Sequence, residues 1–165
     1  MVLGKAKGNQ EERKQAKILS NWMFDDPNTL KRQSDSGALK DIYCGDIIPI
    51  KQINWSHFPF MIEIKSGYEE HIPTFWSYSK PANWYIKAVE EGKIHNQYII
   101  FLICQFLNKQ ALLFTNYQLD LNKIYPNIII PIPIENDLHW IFIYNLKWVL
   151  DINFMELFNK EINYR

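Results

Sequence analysis

Cysteine is scarce in this sequence, and the two cysteines among its 165 residues, Cys44 and Cys104, form no CxxC pair. That pattern argues against a disulfide framework and against a structural zinc site. Both cysteines lie in apolar or turn settings, so we expect reduced, buried thiols. The four histidines show no HExxH spacing, and the sequence contains neither GxSxG nor a Walker-type phosphate loop. These absences remove the common zinc-hydrolase, serine-hydrolase and nucleotidase motifs.

Long apolar runs are also missing. The longest candidate, "YIIFLICQFL" at 98–107, is about half of the roughly 20 residues that a membrane helix needs. The first residues lack the apolar centre of a signal peptide. We therefore expect a soluble, cytoplasmic protein with no membrane partner.

Net charge gives no bulk support for nucleic-acid binding, because 18 basic residues balance 18 acidic ones. A local excess of positive charge does occur in residues 1–20, where two acids face five cations: Lys5, Lys7, Arg13, Lys14 and Lys17. This segment could bind a polyanion. It could equally form the solvated face of a helix.

Hydrophobic residues make up 47% of the chain, enough for one folded domain over 1–165. Apolar spacing predicts helices over 10–24 and 79–93, and strands over 41–50, 58–66, 97–106 and 110–116, the last two forming a hairpin. We expect a mobile basic arm at 4–8 and a loop at 31–40. In the tail we expect an extended edge segment over 123–134, a strand over 139–146 and a helix over 148–162. This order predicts an α/β fold with a central mixed β-sheet flanked by helices.

Charged residues stand within two of these predicted buried strands. Asp46 leads the apolar run "GDIIPI", and Glu63 and Lys65 lie inside "FPFMIEIKSG". Side chains alternate along a strand, so Glu63 and Lys65 point to one side. Buried charge costs several kcal/mol unless a partner or a metal relieves it. We expect the three residues to converge, although a solvated strand face would show the same Glu-x-Lys pattern.

Two carboxylates and an ammonium have a chemical use together. Mg²⁺ prefers oxygen ligands and usually keeps several waters, so one or two protein carboxylates suffice to hold it. Such a metal neutralises charge on a phosphoryl oxygen, and a neighbouring lysine stabilises the negative charge that develops. The combination suits hydrolysis of a phosphodiester.

The arrangement resembles the PD-(D/E)XK nuclease superfamily, and within it the Holliday junction resolvases of phages and archaea. Four stretches carry the resemblance: "KGNQEER" at 7–13, "KRQSDSGA" at 31–38, "GDI" with "FPFMIEIK", and "NWYIKAVEEGKIHNQYIIFLI" at 83–103. The resemblance implies a restriction-endonuclease-like core over about 9–116. A C-terminal extension of strand and helix over about 117–165 lies outside the recognised pattern.

The resemblance also implies roles for individual residues. Asp46 and Glu63 would hold Mg²⁺, for which Mn²⁺ would substitute, and Glu12 would complete the acidic cluster from the first helix. Lys65 would be the catalytic lysine. Residues implied to contact the DNA backbone are Lys5, Lys7, Arg13, Arg32, Ser34 and Ser36. Resolvases of this type are homodimers that cut two strands at a branch.

Three alternatives stay open at this point. The chain could be a restriction-type endonuclease or a DNA-processing exonuclease rather than a resolvase. It could also be a non-catalytic DNA-binding or assembly protein that keeps the fold.

The apolar tail could be a dimerisation element, a partner surface or additional sheet. A homodimer is the simplest of these because large unpaired apolar faces mark interfaces.

Overall fold

Helices and strands alternate along the chain in the computed structural model, which describes residues 3–33, 42–50, 58–68, 80–106, 109–134 and 137–158. In chain order the elements are α1 (Leu3–Phe24), β1 (Leu30–Arg32), β2 (Ile47–Pro49), β3 (Phe60–Tyr68), α2 (Lys80–Ile94), β4 (Ile99–Phe106), β5 (Leu112–Thr115), β6 (Ile128–Ile134), β7 (Asp137–Asn145), α3 (Leu146–Leu150) and α4 (Phe154–Leu157). None of the described helices has the length and apolar content to cross a membrane.

The central sheet is mixed, with strand order β3-β4-β5-β7-β6. Strands β3 and β4 are parallel and are joined through α2, whereas the remaining neighbours are antiparallel. Parallel neighbours need a long crossover, and α2 provides it. A separate antiparallel pair, β1 with β2, lies beside β3. The predicted α/β class, the mixed central sheet and the β4–β5 hairpin are all confirmed.

Two apolar clusters cover the two faces of the sheet. One contains Ile62 and Ile64 of β3 together with Leu19 of α1 and Phe154 of α4. The other contains Met61 of β3 and the buried face of α2, including Tyr85. Alternation along β3 therefore divides its side chains between a layer of α1 with α4 and a layer of α2.

The tail adds strands to the sheet. Strand β7 pairs with β5, and β6 closes that side as the edge strand. The extended edge predicted at 123–134 is therefore confirmed for Ile128–Ile134, whereas residues 123–127 form no strand. Aromatic packing holds the last helix, because the rings of Phe154 and Phe158 lie 5.0 and 6.3 Å from that of Trp22 on α1. Among the possibilities for the tail, additional sheet is therefore confirmed for the described residues.

The single terminal helix predicted over 148–162 is wrong within the described residues. Asp151 ends α3, and the side chain of Asn153 caps α4 by accepting a hydrogen bond from the backbone N–H of Met155 at 2.9 Å. Asparagine satisfies the free N–H groups at a helix start, so the sequence begins a new helix here. Residues 159–162 lie outside the described part of the chain.

Two predictions near the N-terminus are also wrong. Helix α1 starts at Leu3, so the backbone of 4–8 is helical rather than a mobile arm. Lys31 and Arg32, predicted to lie in a loop, pair with β2. Their strand is anchored from α1, where the hydroxyl oxygen of Ser20 accepts the N–H of Leu30 at 2.9 Å. Gln33 is irregular, as predicted, and residues 34–40, the rest of that predicted loop, lie outside the described ranges.

Gly92 lies inside α2 because the chain passes very close to it. A Cβ at this position would lie 2.5 Å from the backbone oxygen of Gln97 and 3.1 Å from Cδ1 of Ile100. A side chain there would force the end of α2 away from β4.

We expect Gly92→Ala to lower the free energy of unfolding by about 1–3 kcal/mol through overpacking. The matched control is Gly8→Ala in α1, where the nearest atom to a new Cβ is Glu12 Oε1 at 3.8 Å. That change should stabilise the protein by up to about 1 kcal/mol, since alanine is the better helix former. Urea denaturation measures both. Equal effects of the two substitutions would contradict the close approach at Gly92.

Candidate functional site

Asp46 is placed by a glycine that lets two backbones touch. Gly45 has φ 95° and forms a parallel bridge with Ile62. A Cβ on Gly45 would lie 2.6 Å from the backbone oxygen of Ile62, so only glycine fits. The next N–H, of Asp46, donates to the same Ile62 oxygen at 2.8 Å. The Asp46 carboxylate then turns along the strand, where its Oδ2 accepts the N–H of Ile64 at 2.8 Å.

Glu63 and Lys65 project from β3 on the same side, as the sequence predicts. The ammonium Nζ of Lys65 donates to the Glu63 carboxylate oxygen Oε1. Their side chains are 18% and 23% exposed, so the pair is largely desolvated but open to a ligand. Ile62 and Ile64 point the other way, into the apolar layer under α1. The strand thus buries one set of side chains and presents the other.

Glu12 arrives from α1 because of helical spacing. Ala16, Leu19 and Met23 form the buried stripe of this helix, and Glu12 continues the stripe one turn toward the N-terminus. Its carboxylate oxygen Oε2 accepts a hydrogen bond from Nε of Arg32, the last residue of β1. Arg32 therefore links the helix acid to the small sheet that leads into Asp46.

The electrostatics show that these groups share one site. The pKa of Asp46 is raised to about 7, chiefly by burial and next by the negative charge of Glu63. The hydrogen bond from Ile64 and the charge of Lys65 lower this pKa, whereas Glu12 raises it. A carboxylate is costly to ionise in such surroundings. The structure therefore brings together three of the residues that the sequence predicts as catalytic, Asp46, Glu63 and Lys65. The fourth, Glu12, is paired with Arg32 and acts on Asp46 only through its charge.

The donor set fits a hard divalent cation. Asp46 and Glu63 offer carboxylate oxygens, their mutual repulsion would be relieved by a cation, and Mg²⁺ needs only one or two such ligands. Within the described ranges, no three His, Cys, Asp or Glu side chains converge closely enough to enclose a metal ion. Glu12 is engaged by Arg32 there, so its predicted role as a metal ligand stays a prediction.

The residues predicted to contact DNA are only partly described. Arg13 is exposed on α1, and Arg32 is half-buried in its pair with Glu12. Lys5 and Lys7 belong to α1 by their backbone, and their side chains lie outside the description. Ser34 and Ser36 lie outside it entirely.

Two residues that hold the Asp46 segment were missed from the sequence. The amide of Gln97 bonds to Cys44 and to Phe60. The backbone N–H of Gln33 donates to the backbone oxygen of Asp46 at 2.7 Å, and the Gln33 side chain donates to the backbone oxygen of Tyr43 at 3.2 Å. A polar residue before an apolar strand was the available signal for Gln97, but nothing in the pattern identified its partners.

Both cysteines are free and buried, as expected. Burial raises the pKa of each thiol to about 12. A thiol with so high a pKa is a poor nucleophile, so neither cysteine competes with the carboxylates for the chemistry.

The charge of Asp46 should destabilise the metal-free fold. Since its folded pKa lies above the unfolded value of 3.8, this cost is absent below about pH 4, grows up to about pH 7 and is complete above it. In EDTA at pH 8, Asp46→Asn should therefore raise the free energy of unfolding by roughly 1–3 kcal/mol, since one pKa unit corresponds to about 1.4 kcal/mol. The gain should vanish near pH 4.

Urea titrations at pH 4 and pH 8 measure this difference. Asp137→Asn, at an exposed residue that starts β7, is the control and should change stability little at either pH. A stability gain for Asp46→Asn that is equal at both pH values would contradict the assigned cause.

The sequence matches a known protein family. Residues 4–161 match the family described as "Phage putative PDDEXK endonuclease". The match contains Glu12, Asp46, Glu63 and Lys65, and it continues through β6, β7 and α4. No curated protein and no solved structure gives a significant match. Nucleases of the PD-(D/E)XK type generally depend on a divalent metal, and the substrate of an endonuclease family is DNA. The match covers nearly the whole chain, which therefore belongs to this phage PDDEXK endonuclease family within the PD-(D/E)XK superfamily.

Proposed function

We propose that this protein is a Mg²⁺-dependent DNA endonuclease of the Holliday-junction-resolvase type, which hydrolyses phosphodiester bonds at branched DNA, with Mn²⁺ able to replace Mg²⁺. The observation that carries the proposal is the meeting of Asp46, Glu63 and Lys65 at one edge of β3, with Glu12 and Arg32 beside them. A buried acid pair with a lysine has no structural purpose that an apolar strand would not serve at lower cost.

The residues divide the work by charge. Asp46 and Glu63 would hold the cation, which when bound supplies Lewis-acid stabilisation of the phosphate. Lys65 would orient the attacking water and balance the negative charge that grows on the phosphoryl oxygens. The water oxygen would form a new bond to phosphorus and release one proton to solvent, the opposite P–O bond would break, and the released alkoxide would take up a proton from solvent.

Glu12 and Arg32 would act as a unit. Arg32 donates through Nε to Glu12, which fixes the plane of the guanidinium and leaves its other N–H groups for a second acceptor. A DNA phosphate is the acceptor that suits this fork. The exposed cation Arg13 lies one position along α1 from Glu12, and we propose that Lys5, Lys7, Ser34 and Ser36 extend the same contact. Such phosphate contacts position the DNA without reading its sequence.

Loss of one carboxylate should separate cleavage from binding. Asp46→Asn keeps an oxygen that can accept the Ile64 N–H, but it removes a metal ligand. We expect the cleavage rate to fall by at least about a hundredfold, because loss of one essential charged group removes several kcal/mol of transition-state stabilisation. DNA affinity measured in Ca²⁺ or EDTA should stay within a few-fold of wild type.

The assay uses a labelled four-way junction, a flap and a linear duplex, each with Mg²⁺ and with Mn²⁺. Asp137→Asn again serves as the matched control and should cut like wild type. Paired symmetric nicks on the junction are the expected result. Cutting of the linear duplex would replace the resolvase proposal with a restriction-type or exonuclease activity. Wild-type rates for Asp46→Asn would overturn the site assignment, and no cutting of any substrate would favour a non-catalytic DNA-binding role.

We also propose a homodimer, formed through one face of the β6–β7 pair. The pairing register brings Ile129, Leu138 and Trp140 to this face together with Pro131 and Pro133. The first three are 51%, 60% and 51% exposed. The opposite face, with Ile132, Ile134 and Ile141, is buried in the core. An exposed apolar face of this kind marks an interface, and a second copy of the chain would supply the second active centre that paired nicks require.

Sedimentation analysis tests the dimer. Trp140→Glu should shift the wild-type dimer to monomer, because a charge at the centre of an apolar interface is left unpaired. Trp148→Glu is the control, since Trp148 on α3 is 52% exposed but lies outside this face. A wild-type monomer, or dimers that survive Trp140→Glu, would contradict the proposal.

A further inference from the structure

We infer that Gln97 is a positioning residue for the metal site: its side-chain amide fixes the segment that carries Asp46. The inference rests on the proposed function, because it assigns Asp46 to the metal. Gln97 itself does not touch the reacting groups. It lies in the short connection between α2 and β4, two residues before β4, the strand that neighbours β3.

Both ends of the Gln97 amide are used. Its oxygen Oε1 accepts the backbone N–H of Cys44 at 2.8 Å and the Cys44 thiol at 3.1 Å. Its nitrogen Nε2 donates to the backbone oxygen of Phe60. Cys44 precedes the Gly45 bridge, and Phe60 begins β3. One side chain thus ties the approach to Asp46 to the strand that carries Glu63 and Lys65.

The next contacts pass this placement on to the carboxylate. Gly45 bridges Ile62, the Asp46 N–H donates to the Ile62 oxygen at 2.8 Å, and Asp46 Oδ2 accepts the Ile64 N–H at 2.8 Å. A parallel bridge of so few residues is weak alone. The Gln97 amide extends this connection from Cys44 to Phe60 at the start of β3.

Gln97 is held rigidly enough to do this. Its side chain is fully buried, with 0% of the residue exposed. Its backbone N–H donates to the oxygen of Gly92 at 2.8 Å, and the missing side chain at Gly92 allows the Gln97 oxygen to approach. The end of α2 therefore sets the backbone of Gln97, and the amide transmits that position to Cys44.

A buried amide at residue 97 adds little stability over an apolar side chain, so its use here indicates that it fixes the position of the Asp46 segment. The neighbouring buried side chains on this face are apolar, including Met61, Val89 and Ile100. A buried polar group gains little net stability over an apolar one of the same shape, but it fixes geometry when every one of its hydrogen bonds is made. Supporting groups behind metal ligands typically change metal affinity by about 10–100-fold when they are removed.

The test compares Gln97→Met with a control variant at another buried amide. Methionine keeps the length and shape of glutamine but loses both hydrogen-bonding ends. Asn145→Ala removes another buried side-chain amide, whose oxygen accepts the Lys147 N–H at 3.0 Å at the start of α3, away from the site. The first readout is amide hydrogen exchange at Asp46 and Ile64, referred to Phe114 in β5, and it needs neither metal nor activity. The second is the Kd for Mn²⁺ measured by titration of the metal alone.

We expect Gln97→Met to lower protection at Asp46 and Ile64 by about tenfold beyond any change at Phe114, and to raise the Mn²⁺ Kd by about tenfold or more. Asn145→Ala should change neither. If Gln97→Met does not fold, Gln97→Asn replaces it, since its shorter side chain cannot reach both Cys44 and Phe60.

The outcomes distinguish failure of the positioning role of Gln97 from failure of the proposed metal-dependent function. The positioning role would be overturned if, in every Gln97 variant, protection at Asp46 and Ile64 changes by the same factor as protection at Phe114. A Mn²⁺ Kd that rises equally in Asn145→Ala would also overturn it. If wild type binds no Mn²⁺ while the local exchange effect is present, Gln97 still positions Asp46, and it is the proposed metal-dependent function that fails.

Discussion

The contact between the backbones of Gly45 and Ile62 is the constraint on which the rest of the site depends. It places a short segment against the edge of β3, and this decides where Asp46 begins. Any side chain at Gly45 would push the two backbones apart. The carboxylate of Asp46 would then lose the Ile64 N–H, and its distance from Glu63 would no longer be set by the sheet. A single residue without a Cβ thus converts two unrelated stretches of sequence into one charged centre.

The site keeps its charges in a defined arrangement through local pairing. Glu12 is matched by Arg32, and Glu63 by Lys65, so two of the acids have a cation in direct contact. Asp46 has a backbone N–H instead and bears the repulsion of its neighbours. The imbalance is therefore concentrated on one carboxylate at the partly open edge. Burial of the surrounding groups is tolerable because most of their charge is compensated, and the remaining negative charge attracts a cation.

Much of this could be predicted from the sequence because it follows from short-range periodicity. Alternation in "FPFMIEIKSG" put Glu63 and Lys65 on one side. Glu12 came only from the family resemblance, because the predicted apolar stripe of the first helix did not include it. The strand at Lys31 and Arg32 was not predictable in this way, because three residues carry no period. The role of Gln97 was hidden for another reason: its partner Cys44 is 53 positions away, and a single buried amide leaves no pattern. The break between α3 and α4 depended on one capping asparagine, Asn153, inside an otherwise helical apolar pattern.

The prolines of β6 have a consequence for how this molecule behaves when it is crowded. Pro131 and Pro133 have no N–H, so the outer edge of the sheet lacks two of the donors that an incoming strand would need. At the opposite edge, the segment at Gly45 already occupies part of β3. A mixed sheet rich in isoleucine would otherwise be a template for open-ended growth by strand addition. Here neither edge offers a complete row of backbone hydrogen-bonding groups, so the protein is protected from fibrillar self-association at high concentration. The exposed face of β6 and β7 remains open to a partner.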